Sequence, residues 1–170
     1  MLVRYWDIFL ELLRTPFAHA DTVWGIVPLY FGWVLNEVTS AKASYHTATQ
    51  TGFTFLWAGA HWTWQYLTVE AGRSSRLTIT TLFAVNVIVT LLVLGVGALA
   101  LVSGLRRRFP KYGSFLGYTR FGAYFMIAIF PIQSNYLAWS WDRLVSILLF
   151  APPTWLLFDL GLRPVRGRMK

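Results

Sequence analysis

Three histidines, seven acidic residues and no cysteine set the chemistry open to this 170-residue chain. No two of His19, His46 and His61 stand three or four residues apart, and neither HExxH nor Glu-x-x-His occurs, so the spacing offers no helical metal site. Haem held by two histidines would need a mate for His61 at its own depth, and His19 and His46 fall at opposite surfaces. Without cysteine there is no disulfide, thiol nucleophile or iron-sulfur cluster. No Ser-His-Asp arrangement, catalytic carboxylate pair or glycine-rich phosphate loop appears either. These residues give no positive support for an enzyme, and they name no cofactor.

What remains is a set of polar side chains in apolar surroundings. Along Gln50 to Val69, QTGFTFLWAGAHWTWQYLTV, helical spacing puts Gln50, Thr54, His61, Gln65 and Thr68 within roughly 60 degrees of arc. Trp57 and Trp64 flank that arc, while Phe53, Phe55, Leu56, Ala60, Trp62, Tyr66 and Leu67 cover the remaining surface and are expected to face lipid. Asn86 lies in the next apolar segment, at the same distance from the short charged link Glu70 to Arg76 as His61. A link of that length demands antiparallel neighbours, so His61 and Asn86 are expected to meet in a hydrogen bond. The candidate ligand-lining residues are therefore Trp57, His61, Trp64, Gln65 and Asn86. A second group, Glu37, Arg120 and Asp159, should come to one depth as an intramembrane ion pair that pins three helices, because charges near hydrocarbon need partners.

The elements that must carry these residues are apolar helices. The chain is 56% hydrophobic and 13% charged, far from the roughly 25% charged usage of soluble domains, and its mean hydropathy is +0.50. Its tryptophans, tyrosines and phenylalanines fall mostly near the ends of apolar runs, as interfacial belts do. Residues 1–20 read as an interfacial amphipathic helix, ended or kinked by Pro16, and a linker. Residues 21–162 read as the bundle and residues 163–170 as a basic cytoplasmic tail. Within the bundle, 22–39 carries a small-residue seam of Gly25, Pro28, Gly32, Asn36 and Thr39, and 77–105 carries one of Asn86, Thr90, Val93, Gly97, Ala100 and Gly104. Only Phe121 to Ile132 is free of charge in the fourth segment, a length that suggests re-entrance. In the fifth, 136–162, Pro152 and Pro153 are expected to break the helix.

The sum is an all-α, polytopic integral membrane helical bundle of about five transmembrane helices plus the interfacial helix. With the N-terminus outside and the C-terminus inside, Lys42, Arg106, Arg107, Arg108, Lys111, Arg120, Arg163, Arg166, Arg168 and Lys170 are cytoplasmic, leaving only Arg4, Arg14, Arg73, Arg76 and Arg143 outside. That is the charge asymmetry of a prokaryotic cytoplasmic membrane protein, and it accounts for the net charge of +8 without nucleic acid. The expected partners are the lipid bilayer and other membrane subunits or a second copy.

At Gln50 to Trp57 the stretch QTGFTFLW resembles the Gln-x-x-x-Asn-x-x-Trp element of the translocator or tryptophan-rich sensory proteins, with Thr54 at the asparagine position. Those are small, tryptophan-rich five-helix membrane proteins, and the resemblance implies a porphyrin-like or sterol-like ligand. It covers eight residues, on the second crossing rather than the third. Two functions follow. The first is a non-enzymatic subunit or scaffold of a larger membrane assembly. The alternative is a small-ligand binder or transporter with an aromatic intramembrane pocket.

Overall fold

A computed structural model describes residues 2–39, 45–72, 81–107 and 120–166, with side chains throughout except at 20–22, 36, 38, 39, 69–72, 81, 82, 120, 121 and 163–166. Six helices and no strand lie among these residues: α1 (Leu2–Ala18), α2 (Ala20–Thr39), α3 (Tyr45–Gly72), α4 (Thr81–Leu105), α5 (Arg120–Gln133) and α6 (Trp141–Arg166). Two are long and apolar enough to cross a membrane, over Phe83–Leu105 (23 residues) and Trp141–Leu162 (22 residues), and Val23–Leu35 and Gly122–Gln133 are shorter apolar stretches.

From α2 to α6 the helices alternate in direction. Gly25 of α2 faces His61 of α3 and Gly32 faces Thr54, while Gly59 faces Leu94 of α4 and Gly104 faces Thr49. Glu37 near the end of α2 meets Tyr124 near the start of α5, and Tyr124 in turn lies against Phe158 late in α6. The result is an up-and-down bundle of five helices with α1 laid against its side.

The tightest pairing joins α3 to α4. A Cβ on Gly52 would stand 2.7 Å from Leu101 Cα and 2.8 Å from the Gly97 carbonyl oxygen, and one on Gly97 would stand 3.0 Å from Leu56 N. Only glycine lets the two backbones approach this closely. The seam read on α4 does turn inward: Asn86, Thr90, Gly97, Ala100 and Gly104 are buried and Val93 half-buried.

The shortest helix, α5, is the most enclosed. It packs against α1, α2, α3 and α6, burying Ala123, Tyr124, Met126, Ile127, Ala128, Phe130, Ile132 and Gln133. Its fourteen residues end in a Schellman motif. Asn135 takes a left-handed φ of 63°, Tyr136 N donates to Pro131 O at 3.1 Å, and Asn135 N donates to Ile132 O at 3.1 Å, which satisfies the last carbonyls.

Along α1 the buried stripe is Phe9, Leu12 and Pro16, with Leu13 half-buried. Phe9 and Leu12 join Ala128 and Ile132 of α5 and Ile147 and Ala151 of α6 in one apolar cluster. Pro16 stays inside the helix. Arg4 reaches Asp142 at 2.5 Å and Glu11 reaches Arg143 at 3.6 Å. Arg4 and Glu11, seven residues apart on α1, thus both meet residues at the start of α6.

Two expectations about the last helix are corrected. It begins at Trp141 rather than 136, because residues 134–140 form the turn after α5, and it runs unbroken through Pro152 and Pro153. Proline's fixed φ is a helical one; what it removes is a donor. The two carbonyls concerned belong to Leu148 and Leu149, on the exposed side of α6, where no helix competes for the space.

Candidate functional site

Proline 28 explains the first of the candidate residues. In a regular helix the Trp24 carbonyl would accept from the amide four residues on, which in α2 is Pro28 and has no N–H. The indole Nε1 of Trp57 donates to Trp24 O instead, at 2.8 Å. Trp57 is thus the donor that the proline removed, and its ring is otherwise 41% exposed. Trp64 is 67% exposed and points away from the bundle.

His61, Gln65 and Asn86 do turn inward. His61 lies against Gly25 with its ring stacked on Phe130, centroids 5.6 Å apart at 17°. The hydrogen bond expected between His61 and Asn86 is replaced by another: Asn86 Oδ1 accepts from Trp139 Nε1 at 2.5 Å. Register is the reason. Gly59 sits opposite Leu94 and Tyr66 opposite Phe83, so Asn86 comes level with Gln65, one turn beyond His61.

Around Asn86 the structure assembles a polar knot that links α3, α4, α5 and the turn after it. Tyr66 Oη donates to Gln133 O at 2.7 Å and lies 3.2 Å from Gln133 Oε1. Having one proton, it serves the backbone, while Thr90 Oγ1 donates to Oε1 at 3.3 Å. Gln133 is fully buried, as is Trp62. Trp62 Nε1, Gln65 Oε1, Gln133 Nε2 and Ser134 Oγ are buried with no hydrogen-bond partner.

The helical spacing of α3 predicts Trp62 and Tyr66 on its lipid face. Both face protein, because α3 has neighbours on two sides: α4 along Gly52 and Gly59, and α2 with α5 along Thr54, Ala58 and Trp62. A single polar arc reveals one interface and is silent about the second. Gln133 and Trp139 carried no signal beyond their residue type, since each gains its role from a partner on another helix.

Of the charged group, Glu37 is 1% exposed and accepts a hydrogen bond from Tyr124 Oη at 3.3 Å. Asp159 is half-buried on α6, beside Phe158. The side chain of Arg120, at the start of α5, lies outside the described residues. Helices α2, α5 and α6 bring these three positions to one end of the bundle. No cluster of three metal-ligating side chains occurs among the described residues.

Two cavities flank this framework. One, of about 210 Å³, takes two residues from each of four helices: Phe9 and Leu13, Tyr30 and Trp33, Tyr124 and Ile127, Thr154 and Phe158. The other, about 340 Å³, is a groove between α2 and α3 over Leu101, rimmed by Phe31 and Phe53. Comparison with family models, curated proteins and solved structures found no match for the chain.

Proposed function

We propose that the chain is a polytopic membrane protein that crosses the bilayer five times, N-terminus outside and C-terminus in the cytoplasm, and serves as a non-enzymatic subunit or scaffold of a larger membrane assembly. The observation that carries this reading is a girdle of large apolar side chains at mid-helix positions on the outer faces. Phe31 is 64% exposed, Phe53 53%, Leu91 63%, Leu92 62%, Leu148 62% and Leu157 70%. In water such contiguous surface would drive association; in a bilayer it is solvated. Trp6, Trp24, Trp64, Trp139 and Trp141 gather at the end where α2 begins, and α4 and α6 finish at the other end in Arg106, Arg107, Arg163 and Arg166. That polarity agrees with an aromatic belt outside and positive charge inside.

An assembly role is favoured because the Trp57, His61, Trp64, Gln65 and Asn86 side chains do not converge on one space. Trp57 is committed to a carbonyl, Trp64 faces outward, and Phe130 and Trp139 fill the remainder. The groove over Leu101 is the surface offered to a neighbouring apolar helix.

Because the chain has no cysteine, a single cysteine at Leu2 and a reporter fused after Lys170 test the topology in cells. The expected outcome is labelling of Leu2→Cys by an impermeant maleimide and a cytoplasmic reporter. Both ends on one side would overturn the five-crossing reading. Mild-detergent purification after cross-linking tests the assembly role, with a monomer throughout as the adverse result.

A further inference from the structure

The cavity roofed by α1 is distinct from the polar knot and has its own chemistry. Its walls are almost entirely carbon, yet they include one buried donor with nothing to bond: Trp33 Nε1. A buried N–H without an acceptor is costly in a low-dielectric interior. Trp33 is also held edge-on by three rings, Tyr30 at 6.2 Å and 81°, Tyr124 at 5.5 Å and 82°, and Phe158 at 5.2 Å and 88°. The lining contains three hydroxyls, Tyr30 of α2, Thr154 of α6 and Tyr124 of α5, the last of which donates to Glu37.

Size narrows the occupant. At about 210 Å³ the space falls below the roughly 300 to 1,000 Å³ of sites for drug-sized ligands. A porphyrin or a sterol does not fit. A single substituted ring does, with any tail left outside in lipid. A saturated acyl chain would fill the volume but would bring no acceptor to Trp33, because its ester oxygens lie at the far end of the chain from any part this cavity could hold.

From the aromatic walls, the unpaired indole N–H and the volume, we propose that the crevice beneath α1 binds the ring of a lipid-soluble quinone, with a ring carbonyl accepting from Trp33 and α1 as its roof. The flat ring packs among the aromatic side chains, as offset and edge-on pairs prefer. Leu13 of α1 closes the space over it. Binding alone is inferred, with no electron transfer. The site rests on the membrane reading above but fails separately from it, since a failed titration leaves the topology labelling intact.

The experiment is titration of the whole chain in phosphatidylcholine nanodiscs with decylubiquinone and, in parallel, with decylbenzene, which has the same tail and no carbonyl. Decylubiquinone should bind saturably at one site per chain, and decylbenzene at least about tenfold more weakly. Trp33→Phe keeps a ring and removes the donor; it should weaken decylubiquinone about fivefold, the worth of one neutral hydrogen bond, and leave decylbenzene unchanged. Thr154→Trp should abolish binding by filling the space. Should that variant fail to fold, Leu13→Trp fills it from the α1 side. Leu157→Ala, on the outer surface, should bind as wild type. Equal binding of the two probes, wild-type affinity in Trp33→Phe, or no saturable binding to the folded chain would each overturn the proposal.

Discussion

At the scale of single residues, the exchange between Pro28, Trp24 and Trp57 makes a sharp prediction. Trp57→Phe leaves the Trp24 carbonyl without a donor and should cost about 1 to 3 kcal/mol in a detergent melt. Pro28→Ala restores the amide that a helix would normally use. In that background Trp57→Phe should cost under about 0.5 kcal/mol, and additive costs would refute the exchange. The glycines of the α3 and α4 seam offer a second contrast. Gly97→Ala drives a methyl against Leu56 N and Phe55 Cβ, both at 3.0 Å, whereas Gly95 has nothing within 4 Å. We expect Gly97→Ala to lose about 1 to 3 kcal/mol by overpacking and Gly95→Ala to be neutral or stabilising, read as midpoints of thermal unfolding. The seam itself was readable, because small residues at helical spacing have few other uses. The Trp57 bond was not, since spacing cannot tell which distant side chain will reach an orphaned carbonyl.

Elements raise a different question, which is what holds α1 in place. Its ion pair between Arg4 and Asp142 is exposed, 68% and 42% by side chain, so Arg4→Ala should cost no more than about 1 kcal/mol. Phe9 is 3% exposed and packs with Phe150, ring centroids 5.6 Å apart; Phe9→Ala should cost about 3 to 5 kcal/mol. Ser146 Oγ donates to the Tyr5 carbonyl at 2.7 Å, and Ser146→Ala should fall between the two. If Arg4→Ala proves the worst of the three, charge rather than apolar burial seats the helix. The amphipathic character of α1 was plain from its sequence, but its target was not: a stripe of Phe9, Leu12 and Pro16 suits a lipid surface as well as a groove between α5 and α6. Likewise, the twelve uncharged residues of α5 say only that the helix is short for a bilayer; they do not say that four other helices surround it.

For the molecule as a whole, the enclosed position of α5 bears on the order in which the chain can be put together. Fourteen residues give a helix of about 21 Å, short of the roughly 30 Å of hydrocarbon in a bilayer. Alone in lipid it would expose backbone groups at one end, which hydrocarbon does not tolerate. Its walls come from α2 and α3 on one side and from α1 and α6 on the other. Synthesis delivers α1 first and α6 last, so the helix made earliest waits longest for its seat. On the proposed membrane reading, α1 has only half its groove until α6 emerges, and its apolar stripe would rest on the membrane surface meanwhile. A chain stopped after residue 119 should therefore insert α3 and α4 as a protease-resistant hairpin yet leave α1 open to cleavage near Arg14, and extension through Arg166 should close that window. On that reading the N-terminal helix is the final clasp of biogenesis, fastened only once α6 has left the ribosome.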